Sequence, residues 1–100
     1  MIEKVYSFST ADETAVERIV DENGTIINHL SLAKGEKVDP HPTAEAAHMI
    51  VVRGTLAIKL NDQERHSYSA GSIIGIPANT LLDIANGGEE TMHLFVIKRT

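Results

Sequence analysis

The chain has 100 residues, with nine Lys or Arg against fourteen Asp or Glu, five His and no Cys, for a net charge of −5. That length holds one domain, residues 1–100, around one modest core. The acidic balance excludes a nucleic-acid partner, the lack of an apolar run of about 18 residues excludes a spanning helix, and the missing Cys removes disulfides and thiolate ligands.

Residues 1–10 lack the basic and apolar blocks of a signal peptide, which predicts a cytoplasmic protein. Ile2–Phe8 is expected as a first short strand. Thr10-Ala11-Asp12-Glu13 has the T-x-x-E form of a helix capping box and predicts a helical turn over 10–14. Ala15–Val20 reads as a strand, and Asn23-Gly24 is a strong hairpin dipeptide leading into the β-branched return strand Thr25–Leu32. Lys34-Gly35-Glu36 turns the chain. In Asp39-Pro40-His41-Pro42 each proline restricts the residue before it to extended geometry.

Met49–Arg53 is an apolar strand broken at Gly54. Leu56, Ile58 and Leu60 then alternate with Thr55, Ala57 and Lys59, the period of a half-buried strand. Asn61-Asp62 turns into the polar strand His66–Ser69, and Ala70-Gly71 turns into Ser72–Ile76. Pro77-Ala78-Asn79 interrupts, Leu81–Ala85 resumes, Asn86-Gly87-Gly88 turns, and Met92–Ile97 is the last strand. Eight to ten short strands at this spacing predict an all-β sandwich or barrel.

From residue 35 to 86 the turn residues fall at the offsets of a known family. Gly35 is followed after five residues by His41, and Gly54 closes that segment; Gly71 is followed after five residues by Pro77, and Asn86 ends the second segment. This pattern resembles the two motifs of the cupin superfamily, G-x5-H-x-H-x3-4-E-x6-G and G-x5-P-x-G-x2-H-x3-N. The resemblance implies the double-stranded β-helix, a jelly-roll barrel. It also implies metal-ligand positions at His41, Thr43, Ala47 and Leu82, with Asn79 where the second motif has Gly. Only the first holds the family's ligand. Alanine and leucine cannot coordinate an ion, and three or more protein ligands are the norm for transition metals. No cofactor is therefore expected. The exception weighed is a divalent transition metal on His41 and His48, extended by His29.

His48 neighbours Ala47 at the head of a strand, so it faces away from the interior unless a bulge re-aims it. His29 falls outside if Asn28 and Leu30 point inward, the arrangement adopted here. Met92-His93-Leu94 admits either parity, and we assign Leu94 and Val96 inward. His66 lies on a polar strand and is expected in solvent. The resemblance implies that Leu82 points inward, and Ile84 then shares its face; with Ala47, Met49, Leu94 and Val96 these give a largely apolar pocket, with His41 and Thr43 at its rim and Asn28 deeper. Such a pocket suits a small, mostly apolar molecule held by few polar contacts; side chains alone can also fill a barrel of this size. The leading reading is a small-molecule-binding cupin with a degenerate metal site. The alternative is a metal-dependent enzyme of dioxygenase or isomerase type using His41 with other histidines, and a third is a solid regulatory module. A homodimer is implied by the resemblance, with Ile2–Phe8 as the exchanged or edge-pairing element.

Overall fold

The aliphatic and β-branched runs become nine strands in the computed structural model, which describes residues 2–100. They are β1 (Ala15–Glu22), β2 (Thr25–Leu32), β3 (His41–Thr43), β4 (Ala47–Arg53), β5 (Thr55–Leu60), β6 (His66–Ser69), β7 (Ile73–Ile76), β8 (Thr80–Asn86) and β9 (Met92–Arg99). All pairings are antiparallel. One sheet has the order β1-β2-β9-β4-β7 and the other β3-β8-β5-β6. The strand spacing predicts an all-β sandwich or barrel, and this is the jelly roll that the resemblance implies. No helix among the described residues is long and apolar enough to cross a membrane.

Alternation decides which side chains meet between the sheets. Leu30 and Leu32 of β2, Met49 and Val51 of β4, Leu56 and Ile58 of β5, Leu82 and Ile84 of β8, and Met92, Leu94 and Val96 of β9 form one buried cluster. The inward assignment of Leu94 and Val96 agrees with this packing.

Left-handed backbone marks the corners. Asn23 and Gly24 have φ of 51° and 77°, the two positive values that a tight hairpin between β1 and β2 requires. Asn79 has φ of 60°, so it occupies the conformation that the motif's glycine would otherwise supply. Pro42 is accommodated in β3 because β3 lies at the edge of its sheet and pairs only with β8.

Two expected elements are absent. Ala11–Glu13 is a bend rather than a helical turn. Its polar groups serve distant partners: the Glu13 carbonyl accepts from Ser31 Oγ at 2.8 Å, and Asp12 Oδ1 pairs with Arg53 at 2.6 Å. Ile2–Phe8 is not a strand either. Side chains anchor this segment instead of a backbone ladder, since Lys4 and Tyr6 both bond Glu22 of β1. Phe8 stacks edge-on against Phe95 of β9 with ring centroids 4.7 Å apart.

Candidate functional site

Between the sheets a cavity of about 120 Å³ remains beside His41. The interior is therefore not wholly filled. Met49, Leu82 and Ile84 give it apolar walls, joined by Leu30 and Val96, while Asn28 and Lys98 add polar groups. His41 lines it from β3 and is itself exposed. Its Nδ1–H donates to the Asp39 carbonyl at 3.2 Å, which leaves Nε2 free to accept. Asn28 Oδ1 is buried and has no hydrogen-bond partner among the described residues. Buried acceptors are almost always satisfied, so an orphan beside a cavity marks a place where a donor belongs.

Of the residues expected around this space, Asn28, His41, Met49, Leu82 and Ile84 come together. Thr43 and Leu94 do not. Thr43 is buried, and its hydroxyl donates to the Glu45 carbonyl at 2.8 Å, closing a local turn in place of facing the cavity. Leu94 has no exposed surface and belongs to the packed core deeper in the barrel.

The donor set does not fit a resident metal. Thr43 is committed to a backbone carbonyl, Ala47 and Leu82 offer no donor atom, and His41 stands by itself among those four positions. His48 supplies no replacement. The ladder between β4 and β9 is regular from Ala47 to Val51, so no bulge re-aims the ring. His48 remains exposed on the outer face, in a surface hollow with Ala46, Ile97 and Arg99. His29 is also outside the barrel cavity, so His41, His48 and His29 share no ion. Among the described residues no three His, Asp or Glu side chains converge on a point.

The outer face of the five-stranded sheet carries a feature that the sequence reading missed. His29 and His93 point away from the core as parity requires, yet both are buried, at 0% and 4% exposure. Glu17 of β1 lies opposite His29 of β2, and its Oε1 accepts from His29 Nδ1–H at 2.7 Å and from the Ser9 backbone N–H at 3.0 Å. The second nitrogen of His29, Nε2, stands 3.0 Å from His93 Nδ1. His93 Nε2 is buried and unpartnered among the described residues. Phe8 closes over the pair, its ring 5.2 Å from that of His29. The Ser9 N–H and then His29 hold the Glu17 carboxyl below the usual carboxylate range. Burial foremost, then the His29 and Arg53 charges, pushes the His93 imidazole down from its ordinary value.

Comparison with known proteins shows the family and the fold. A model of the cupin domain matches residues 28–98. An uncharacterized protein of Methanocaldococcus jannaschii is 36% identical over 99 residues, spanning 98% of this chain and 85% of that protein. The crystal structure of an RmlC-like cupin family protein with a double-stranded β-helix fold, also from M. jannaschii, superposes with a TM-score of 0.93 at 36% identity, covering 99% of this chain and 92% of that one. A cupin superfamily protein from Desulfitobacterium hafniense shares the fold at a TM-score of 0.76 and 17% identity, with 93% and 83% of the two chains covered.

Proposed function

We infer a function from the premise that this chain belongs to the cupin domain family. It is a cytoplasmic cupin that binds a small molecule inside its barrel without a resident metal. The observation that carries this reading is the orphaned Asn28 Oδ1 at a cavity with apolar walls. An apolar cavity of roughly 150 Å³ accepts benzene, so about 120 Å³ suits a compact ring or branched chain. The bound molecule offers a hydrogen-bond donor to Asn28 and packs its body on Leu82 and Ile84. A second polar group meets His41 or Lys98 at the rim.

Replacing Asn28 with Leu separates a ligand contact from a structural one. Removing a buried, unsatisfied acceptor leaves stability unchanged or raises it by about 1 kcal/mol. Loss of one hydrogen bond to the ligand weakens binding about tenfold, equivalent to roughly 1.4 kcal/mol. Ring-sized alcohols, amides and carboxylates are titrated while the backbone amides of Asn28, Leu82 and Ile84 are followed by NMR. Saturable shifts at those amides that fade in Asn28→Leu are expected. If no compound moves them, or if Asn28→Leu destabilises the fold and leaves binding intact, the reading is wrong.

The same reading includes a homodimer. Ile2 and Val5 are 101% and 74% exposed on the extended N-terminal segment, and Ile73 is 67% exposed on the edge strand β7. A second copy would cover these apolar groups and the unpaired edge together. Sedimentation equilibrium is expected to return twice the chain mass at micromolar concentration, and deleting residues 2–7 to shift the equilibrium to monomer. A wild-type chain that stays monomeric removes this part.

A further inference from the structure

The structure points to a second binding site, on the outer face of the five-stranded sheet: we propose that the pocket over His93 holds a small neutral molecule with an apolar body, which donates one hydrogen bond to His93 Nε2. This site lies on the other side of the sheet from the barrel cavity and stands or falls independently of the function proposed above.

Three observations converge there. The first is space. A hollow of about 150 Å³ is bounded by Phe8, Thr10, Val52, Arg53 and His93. Its surface is mostly carbon, from the Phe8 ring and the Val52 side chain. The second is an unsatisfied atom, because His93 is 4% exposed and its Nε2 has no hydrogen-bond partner among the described residues.

The third observation fixes the polarity of that atom. The ionised Glu17 carboxylate can only accept, so His29 Nδ1 carries the proton between them. With the ring's proton on Nδ1, His29 presents Nε2 as a lone pair, and His93 Nδ1 supplies the proton in the 3.0 Å contact. His93 Nε2 is left as a bare acceptor. Each link polarises the next, so the carboxylate's charge strengthens an acceptor two rings away. Burial keeps His93 neutral, which preserves the lone pair.

Charge around the pocket selects against ions. Arg53 is the only cation among the lining residues, and it is already paired with Asp12 at 2.6 Å and Glu90 at 3.4 Å. With Glu17 added, the carboxylates outnumber the guanidinium, so an anion is repelled. Water is a poor occupant too. Buried waters typically make about three hydrogen bonds, and here His93 Nε2 and the Thr10 hydroxyl are the uncommitted polar groups of the lining. A phenol or a compact alcohol matches the site better, with its ring against Phe8 and Val52 and its O–H on His93.

Phenol is the probe, and anisole, which keeps the ring and lacks the donor, is the control. Both are titrated into the intact protein with NMR detection of backbone amides and of the 15N-labelled imidazoles. In the free protein His93 Nε2 is expected to show the 15N shift of a non-protonated ring nitrogen. Phenol is expected to shift Phe8, Val52 and His93 Nε2 saturably, and anisole to bind at least tenfold more weakly. Val52→Trp fills the hollow from the solvent side of the sheet, where a large side chain leaves the core untouched, and abolishes these shifts. Equal binding of phenol and anisole overturns the proposal. So do phenol shifts confined to Leu82 and Ile84 in the barrel, shifts that survive Val52→Trp, or a proton found on His93 Nε2.

Discussion

Gly54→Ala is expected to lower Tm by roughly 15 °C, whereas Gly71→Ala, at a similar backbone angle, lowers it by about 5–10 °C. Gly54 is the single residue between β4 in one sheet and β5 in the other. It turns that corner at a φ of 75°. A side chain in this region costs about 1–2 kcal/mol, and Gly71, with φ of 95° and no non-adjacent described residue within 4 Å of an added Cβ, isolates that cost. At Gly54 the new methyl also meets backbone. It would stand 3.0 Å from Met92 Cα and 3.1 Å from the Thr91 carbonyl oxygen. Neither atom can rotate aside, because Met92 is fully buried at the head of β9, the strand paired with both β2 and β4. The corner and the sheet must separate, for a combined loss of about 3 kcal/mol. Thermal denaturation of the two variants side by side checks this. Equal losses would show that the corner has slack and that only the backbone angle matters.

Much of this architecture was legible because turn chemistry is local. Gly35, Gly54, Gly71, Pro77 and Asn23-Gly24 announce their corners from their own backbone preferences, and period-two alternation orients β5 and β8. The N-terminal segment was not legible. Ile2, Val5, Tyr6 and Phe8 have the composition of a strand, but pairing depends on an open ladder position. The segment is instead held by Glu17 and Glu22, which are distant in sequence. The capping box at Thr10 failed for the same reason, since Asp12 and the Glu13 carbonyl are engaged by Arg53 and Ser31.

The candidate sites divide along the same line. The resemblance supplied His41 and Leu82, and parity placed Asn28, Met49 and Ile84 around the same interior space. Thr43 shares the inward parity but spends its hydroxyl on a turn, which no pattern in the sequence announces. Parity also sent His29 and His93 outward, where alternation alone implies solvent. Their burial comes from Phe8 and the bend that follows, a tertiary cover without local signature. The partner of His29 was hidden by one irregularity. Counted back from Asn23-Gly24, a regular ladder puts Arg18 opposite His29. The register shift between Arg18 and Val20 puts Glu17 there instead, exchanging a cation for a carboxylate.

His29→Phe tests whether that exchange holds the outer face together. The ring volume is kept, so Phe8 and Phe95 retain a neighbour; both now lie 5.2 Å from the His29 ring. What is lost is the pair of hydrogen bonds, leaving Glu17 with the Ser9 N–H alone and His93 Nδ1 without a partner. Orphaning a buried polar group costs about 1–3 kcal/mol, so a loss of roughly 2–4 kcal/mol at pH 7 is expected once the chain of contacts is broken. The response to acid runs in the opposite direction. Glu17 and His93 both have depressed pKa values in the folded protein, so each contributes stability that is present above its unfolded value and lost as pH falls through its folded one. His93 begins this loss below about pH 6.5 and Glu17 below about pH 4.3. In His29→Phe the His29 charge no longer lowers His93, and Glu17 loses one of its two donors, so both folded values move back toward normal. The variant is therefore less stable than the parent at pH 7 but declines less steeply between pH 6.5 and 4. Urea titrations at several pH values measure both effects, and parallel stability curves would mean that His29 acts only by filling space.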